Sequence, residues 1–353
     1  MIDLTFLIQG NFNTNEPFIC KIDNQIQDKI SCTYQNDIFN HRLGTFSFKN
    51  KTLSIEEGEI LIVFPEQKFV SRFFRPSANA NTILLTENCD QKCVMCSQPP
   101  KNKDYIYFNL YKEASLQCPK NTVIGISGGE PTLFKDQLLG MISEIIDIRS
   151  DLKFHVLSNG QHFSKQDHQL LKKLNNNVLW GIPLYSSFGI IHDQIVNKED
   201  AFNVLMKNFE ILANAGSRIE MRTVLMKNNI QDLPNLANLI SSNFSWIEIW
   251  AIMQLENFGY AKMNWDQIFF DNSIEFKSLN DALMISKLFN INAKLYNFPK
   301  CTVPVEFHNL VLKSISDWKQ KYLNECDNCN EKMNCCGFFE WYNSGYSNLK
   351  PFN

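Results

Sequence analysis

The stretch ENCDQKCVMCSQPPK, Glu87–Lys101, holds three cysteines in eight residues at the spacing Cys-x3-Cys-x2-Cys. It follows directly on an apolar run, TILLT (82–86), that reads as a strand. Cys89, Cys93 and Cys96 thus sit on a loop at a strand's C-terminal end, the end that carries the chemistry in β/α barrels. Three thiolates on one short loop can converge on a small metal centre. A cubane iron–sulfur cluster held by three cysteines leaves one iron without a protein ligand. Such an open position is how a metal centre meets a substrate. The alternative is zinc, which takes four ligands, usually from Cys-x2–4-Cys pairs. No fourth ligand lies nearby, the next histidine downstream being His155. The H-x-E…P-C-x-x-C pattern of zinc deaminases is absent.

Outward from this loop the pattern is strand, loop, helix, repeated. Further strands are expected at VIGIS (123–127), FHVLS (154–158), VLWGIPL (178–184), IEMRTVL (219–225) and WIEIWAI (246–252). Such near-continuous apolar runs suit a parallel sheet covered on both faces. Between them, Leu138, Met141, Ile142, Ile145 and Ile146 form a stripe at helical spacing. Ser164 with Asp167 suggests a capping box, and Gly216 a helix C′ residue. Six strands are too few for a complete eightfold barrel. The expected fold is α/β, a partial (β/α)6 TIM-like barrel over 81–255, with a plain doubly wound sheet as the alternative.

The flanks differ in texture. Residues 1–80 read as a small β-rich domain, in which SIEEGEILIVFPEQKFVSRFF forms two strands joined at Pro65–Gln67. Residues 256–353 contain a helical LNDALMISKLFN, a strand-like NAKLYNF and a second group of cysteines. Cys326, Cys329 and Cys335 are spaced Cys-x2-Cys-x5-Cys, Cys336 adjoins Cys335, and Cys301 lies 25 positions before Cys326. Four thiolates would close a site; a structural zinc ribbon is the alternative. Cys20, Cys32 and Cys118 are isolated and read as ordinary thiols.

The 353 residues are 44% hydrophobic, enough for a sizeable core, and carry 34 basic and 37 acidic side chains. A net charge of −3 argues against a nucleic-acid wrapper. The opening MIDLTFLIQGNFNTNEPF lacks a basic n-region and bears Asp3, unlike a secretory signal. No apolar run approaches the ~18 residues of a membrane span. A cytoplasmic location is expected, where thiols stay reduced and clustered cysteines read as metal or redox sites. An odd count of eleven cysteines also disfavours complete pairing.

Cys-x3-Cys-x2-Cys after the first barrel strand resembles the radical S-adenosylmethionine superfamily. The resemblance implies a [4Fe–4S] cluster on Cys89, Cys93 and Cys96 whose unique iron chelates S-adenosylmethionine. Reductive cleavage then yields a 5′-deoxyadenosyl radical that abstracts hydrogen from substrate, the cofactor supplying the hard chemistry. GISGGEPTL (125–133) is similar to the family's Gly-Gly-Glu element. Gly128 and Gly129 permit close backbone approach, and Glu130 can accept from the methionyl ammonium. In LSNG (157–160), Ser158 and Asn159 match residues that meet the cofactor's ribose or carboxylate, a simple turn being the alternative. Arg222 matches a basic residue for the cofactor carboxylate, against a structural ion pair with Glu220 or Glu248. Met95 takes a position where the family prefers an aromatic or bulky apolar residue near adenine. His155 reads as a core histidine, and His192 as at most a pocket residue.

The C-terminal cysteines resemble the twitch or SPASM-like auxiliary domains of peptide-modifying radical enzymes. Seven cysteines and two clusters make a full SPASM domain, so one auxiliary [4Fe–4S] cluster on Cys301, Cys326, Cys329 and Cys335 is expected. Together with WGIPLYS, SISDWKQKYLNECDNC and CGFF, the motifs resemble the C-type maturase of His-Xaa-Ser systems. That resemblance implies a ribosomal precursor peptide as substrate, a second radical maturase encoded beside it, and a reductant such as flavodoxin or ferredoxin. A radical enzyme acting on RNA or a small molecule is the rival within enzymes, and a zinc-binding interaction protein the rival outside them.

Overall fold

The computed structural model describes residues 5–49, 54–78 and 80–352; Asp3 lies outside them. The chain forms two compact units. One comprises Met1–Leu84, Tyr105–Ile126 and Asp136–Phe154, the other Leu85–Asp104, Ser127–Lys135 and His155–Asn353.

Seven strands lie at the start of the first unit: β1 (Thr5–Phe12), β2 (Phe18–Ile22), β3 (Ser31–Gln35), β4 (Ile38–His41), β5 (Gly44–Phe48), β6 (Ile60–Phe64) and β7 (Phe69–Phe74). They close into a barrel in the order β1-β5-β4-β3-β2-β6-β7. Closure removes the unpaired edges that an open sheet of this size would expose. β6 and β7 pair antiparallel about the turn at Pro65, as their sequence predicts. Inside, Phe39 stacks on Phe46 with ring centroids 4.5 Å apart. Cys20 and Cys32 are buried among these aromatic and aliphatic side chains.

Eight further strands are β8 (Asn81–Leu84), β9 (Val123–Ser127), β10 (Lys153–Leu157), β11 (Val178–Pro183), β12 (Arg218–Val224), β13 (Ile249–Met253), β14 (Ala293–Tyr296) and β15 (Val311–Leu312). They make one sheet in the order β15-β14-β13-β12-β11-β10-β9-β8. Every strand expected from the sequence is present. Two more join them, so the sheet has eight strands where six were expected. NAKLYNF is indeed a strand, and β14 pairs parallel to β13, Met253 opposite Tyr296. β15 has two residues, too short to leave a periodic signal.

The helices are α1 (Phe108–Leu116), α2 (Lys135–Ile148), α3 (His168–Leu174), α4 (Gly189–Val196), α5 (Ala201–Asn214) and α6 (Leu233–Asn243), with a later one at Lys277–Leu288. The stripe read on α2 is buried, with Leu139 added to it. Ser164 and Asp167 form the expected capping box. Gly216 follows α5 at φ +68°, a left-handed C′ position that suits glycine. Among the described residues no helix is long and apolar enough to cross a membrane.

Candidate functional site

In the second unit the loops after successive strands surround one cavity of about 310 Å³. Its walls include Cys89, Cys93, Met95 and Cys96 from the cysteine loop, and Gly128, Gly129 and Glu130 from the loop after β9. Ser158, Asn159 and Arg222 line it as well, so it gathers all ten of the first-cluster and cofactor residues singled out in the sequence. The size is that of a small-molecule site.

The cysteine loop is held from several sides. Lys92 N–H donates to the Val196 carbonyl and Val94 N–H to that of Ile195, at the end of α4. Tyr260 N–H reaches the Cys96 carbonyl at 2.8 Å. The side-chain amide of Asn264 donates to the Val94 carbonyl at 2.8 Å. Gly259, at φ +60°, leaves the room this needs, since a Cβ there would lie 2.5 Å from the Cys96 oxygen. Nothing local in the sequence points to Gly259, Tyr260 or Asn264, which lie more than 160 residues downstream.

The glycines of GGEP serve close approach of chain to chain. Gly129 N–H donates to the Thr86 carbonyl at 2.7 Å and Glu130 N–H to that of Asn88 at 2.8 Å. A Cβ on Gly129 would stand 2.1 Å from the Asn88 oxygen. Glu130 is fully buried. Its carboxylate accepts from Thr132 N–H and Oγ1, Ser158 Oγ and Asn159 N–H. Burial still raises its pKa, against these four donors. Glu130 is therefore the hub that fixes the loops after β9 and β10 to each other.

Asn159 turns its side chain to Asp90, its Nδ2 donating at 2.7 Å. Asp90 also takes the Lys198 ammonium and faces His162 Nε2 at 3.4 Å. Burial opposes the Asp90 charge, but these partners outweigh it and hold the carboxyl well below the usual range. Arg222 pairs with Glu220 while lining the cavity, so the structural partner and the site position coexist. Glu248 binds Arg218 instead, in a bidentate pair at 2.6 and 2.7 Å. His155 stands 3.5 Å from Glu220 and is no part of the cavity wall. His192 is buried, stacked on Tyr185 and accepting from its N–H at 3.3 Å. Burial drops it to about 4, a core histidine rather than a pocket base.

Burial pushes the Cys89 thiol up to about 12 and moves Cys93 and Cys96 in the same direction. Thiolates placed here call for a cationic metal centre to compensate them. An all-sulfur donor set on one loop, around one cavity, fits a cubane iron–sulfur cluster. Among the described residues no three His, Cys, Asp or Glu side chains stand close enough to grip a single ion.

A second, smaller cavity is lined by Cys301, Cys326, Cys329 and Cys335, with Lys300, Tyr322 and Phe338. The four thiols expected to act together do share it, and the donor set again fits an iron–sulfur cluster. Burial raises Cys301 to about 12. Cys335 goes the other way, to about 6, through hydrogen bonds from the Cys336 thiol and from backbone N–H groups. Asn297, next to the end of β14, lines the first cavity, and Cys301, four residues on, lines the second.

The strand ends of this α/β sheet thus carry three thiols and a glycine-rich turn around one cavity. Residues 83–240 match the Radical SAM superfamily. The chain is 22% identical over 179 residues to the antilisterial bacteriocin subtilosin biosynthesis protein AlbA of Bacillus subtilis. That match covers 47% of this chain and 39% of AlbA. Streptococcus suis SuiB bound to precursor peptide SuiA aligns with TM-score 0.49 and 16% identity, over 61% of this chain and 48% of that one. Native anSMEcpe with bound AdoMet and Cp18Cys peptide aligns with TM-score 0.48 and 12% identity, over 61% of this chain and 62% of that one. The chain thus spans less than two thirds of the length of each.

Proposed function

We propose that the protein is a radical S-adenosylmethionine enzyme that modifies a ribosomally synthesised peptide in the cytoplasm. The observation that carries this is the single cavity shared by Cys89, Cys93, Cys96 and the GGE loop, inside the segment that matches the Radical SAM superfamily. The likeness to AlbA, whose name assigns it to bacteriocin biosynthesis, supports a peptide substrate. Within that class we assign a His-Xaa-Ser repeat peptide and a crosslink as product, on the strength of the motifs in GISGGEPTL, WGIPLYS and CGFF.

When bound, the cluster and S-adenosylmethionine supply a 5′-deoxyadenosyl radical that takes a hydrogen atom from the substrate. The chain's own residues position and shield. Cys89, Cys93 and Cys96 would hold the cluster, and the loop of Gly128, Gly129 and Glu130 the methionyl amine. Because Glu130 already accepts four hydrogen bonds, it chiefly fixes that loop's shape. Arg222 offers its charge to the cofactor carboxylate while Glu220 holds it in place. Ser158 and Asn159 stiffen the wall, and Met95, buried beside Tyr185, closes it from water. The sheet's last strands bring Leu255, Glu256 and Asn297 to the same cavity as the side open to substrate. Residues 256–353 would house the auxiliary [4Fe–4S] cluster on Cys301, Cys326, Cys329 and Cys335, and the barrel of residues 1–80 would guide the peptide. A flavodoxin or ferredoxin would supply electrons, and a second radical maturase would act on the same peptide.

The test is co-expression with a His-Xaa-Ser repeat peptide, followed by mass spectrometry. Loss of a hydrogen pair from the peptide, abolished by Cys93→Ala, supports the reading. An unchanged peptide alongside active cofactor cleavage would leave the enzyme class standing and overturn the substrate.

A further inference from the structure

We propose that Cys335, and not the adjacent Cys336, completes the second cysteine site, and that the backbone N–H groups of Lys300 and Gly337 aimed at its sulfur set the reduction potential of the cluster held there. This rests on the auxiliary-cluster reading above.

The two cysteines are neighbours with different surroundings. Cys335 has extended backbone, φ −100° and ψ 146°. Cys335 faces the cavity with Cys301, Cys326 and Cys329. Cys336 is no part of that lining; it is fully buried, its sulfur 3.1 Å from the Phe298 carbonyl oxygen and beside the Cys335 sulfur. One residue of the pair can therefore ligate, and the other packs behind it.

The Cys335 sulfur accepts from Lys300 N–H and from Gly337 N–H, each at 3.4 Å. Both donors are supplied by local design. Lys300 opens a short helical turn, Lys300–Thr302, where the first N–H groups have no partner within the helix. Gly337 sits at φ +63°, and a Cβ there would meet the Lys321 oxygen at 2.6 Å. Only glycine turns its N–H to the sulfur without strain. The Lys300 ammonium is engaged with Glu331 at 2.7 Å, so the charge and the amide of Lys300 are separate influences on Cys335, the amide the larger. Hydrogen bonds to a ligating sulfur favour the more negative, reduced cluster and raise its potential.

The test uses the full chain, reconstituted anaerobically with iron and sulfide, in a background of Cys89→Ala, Cys93→Ala and Cys96→Ala that leaves the second site alone. Lys300→Pro deletes the N–H at a helix-opening position that proline tolerates; Lys300→Gln keeps the N–H and removes the charge. Midpoint potentials come from dithionite titration followed by electron paramagnetic resonance. The expected result is a reduction equilibrium constant several-fold smaller for Lys300→Pro than for Lys300→Gln. Cys336→Ala keeps its iron and Cys335→Ala loses it. Equal potentials for the two Lys300 variants, or iron lost with Cys336 and kept without Cys335, overturn the proposal. Should Lys300→Pro fail to fold, the unmutated site in D2O decides. Exchangeable deuterons strongly coupled to the reduced cluster support the proposal, and their absence overturns it. No iron at all in the background protein would bring down the auxiliary-cluster reading, and this inference with it.

Discussion

The side-chain amide of Asn159 donates to the Asp90 carboxylate at 2.7 Å, tying the loop after β10 to the residue next to Cys89. Asp90 adds Lys198 and His162 to the same oxygens. Asp90→Ala should cost about 2–3 kcal/mol in urea unfolding, the range for charged hydrogen bonds left unpaired. It should also lower the iron retained after reconstitution. Asp90→Asn, which keeps the size and one acceptor, should fall between.

Gly129→Ala drives a methyl group to within 2.1 Å of the Asn88 oxygen. The clash is with backbone on both sides, so the loop must shift rather than a side chain swing away. Overpacking of this kind costs about 1–3 kcal/mol. Calorimetry should show S-adenosylmethionine affinity falling more than thermal stability does, because the displaced loop lines the cavity proposed for the cofactor.

Gly259→Ala is strained twice, by its left-handed backbone and by the Cys96 oxygen 2.5 Å from the new Cβ. Asn264→Ala is milder, freeing the Val94 carbonyl at a cost of about 1 kcal/mol. Both should lower cluster occupancy, read as the visible absorbance of reconstituted protein, with Gly259→Ala the more severe.

Glu220 gives the pH dependence. Burial opposes its charge, but His155 and Arg222 prevail and hold it at about 2, below its ordinary 4.5. A depressed carboxylate stabilises the fold fully above its unfolded pKa and loses that contribution as pH falls through the folded value. Stability should therefore decline between about pH 4.5 and 2 by roughly 3 kcal/mol on this account. In Glu220→Gln, acid titration monitored by circular dichroism should show a shallower decline in that window.

Much of the site was legible because chemistry of this kind is written locally. Cys89, Cys93 and Cys96 share one loop, and VIGIS followed by GGEP marks a strand and its turn without help from distant residues. The strands were legible for the same reason: apolar runs such as VLWGIP announce a sheet buried on both faces. What escaped was non-local. Barrel closure pairs β1 with β5 across 32 to 40 residues and with β7 across 62 to 66, and no periodicity encodes that. Asn264 clamps Val94 from 170 positions away. Asp90, next to Cys89, carries no local signal of its role, because its partners Asn159 and Lys198 come from 69 and 108 positions away. Arg222 was read as either cofactor contact or ion pair, whereas its place on β12 lets one side chain reach both Glu220 and the cavity.

The most direct measurement is release of 5′-deoxyadenosine from S-adenosylmethionine by anaerobically purified protein reduced with dithionite, with iron, zinc and sulfide assayed on the same sample. The account predicts nucleoside release, two cubanes totalling about eight irons per chain with matching sulfide, and loss of release in Cys93→Ala. Zinc in place of iron with no acid-labile sulfide, or nucleoside release undiminished in Cys93→Ala, would contradict it.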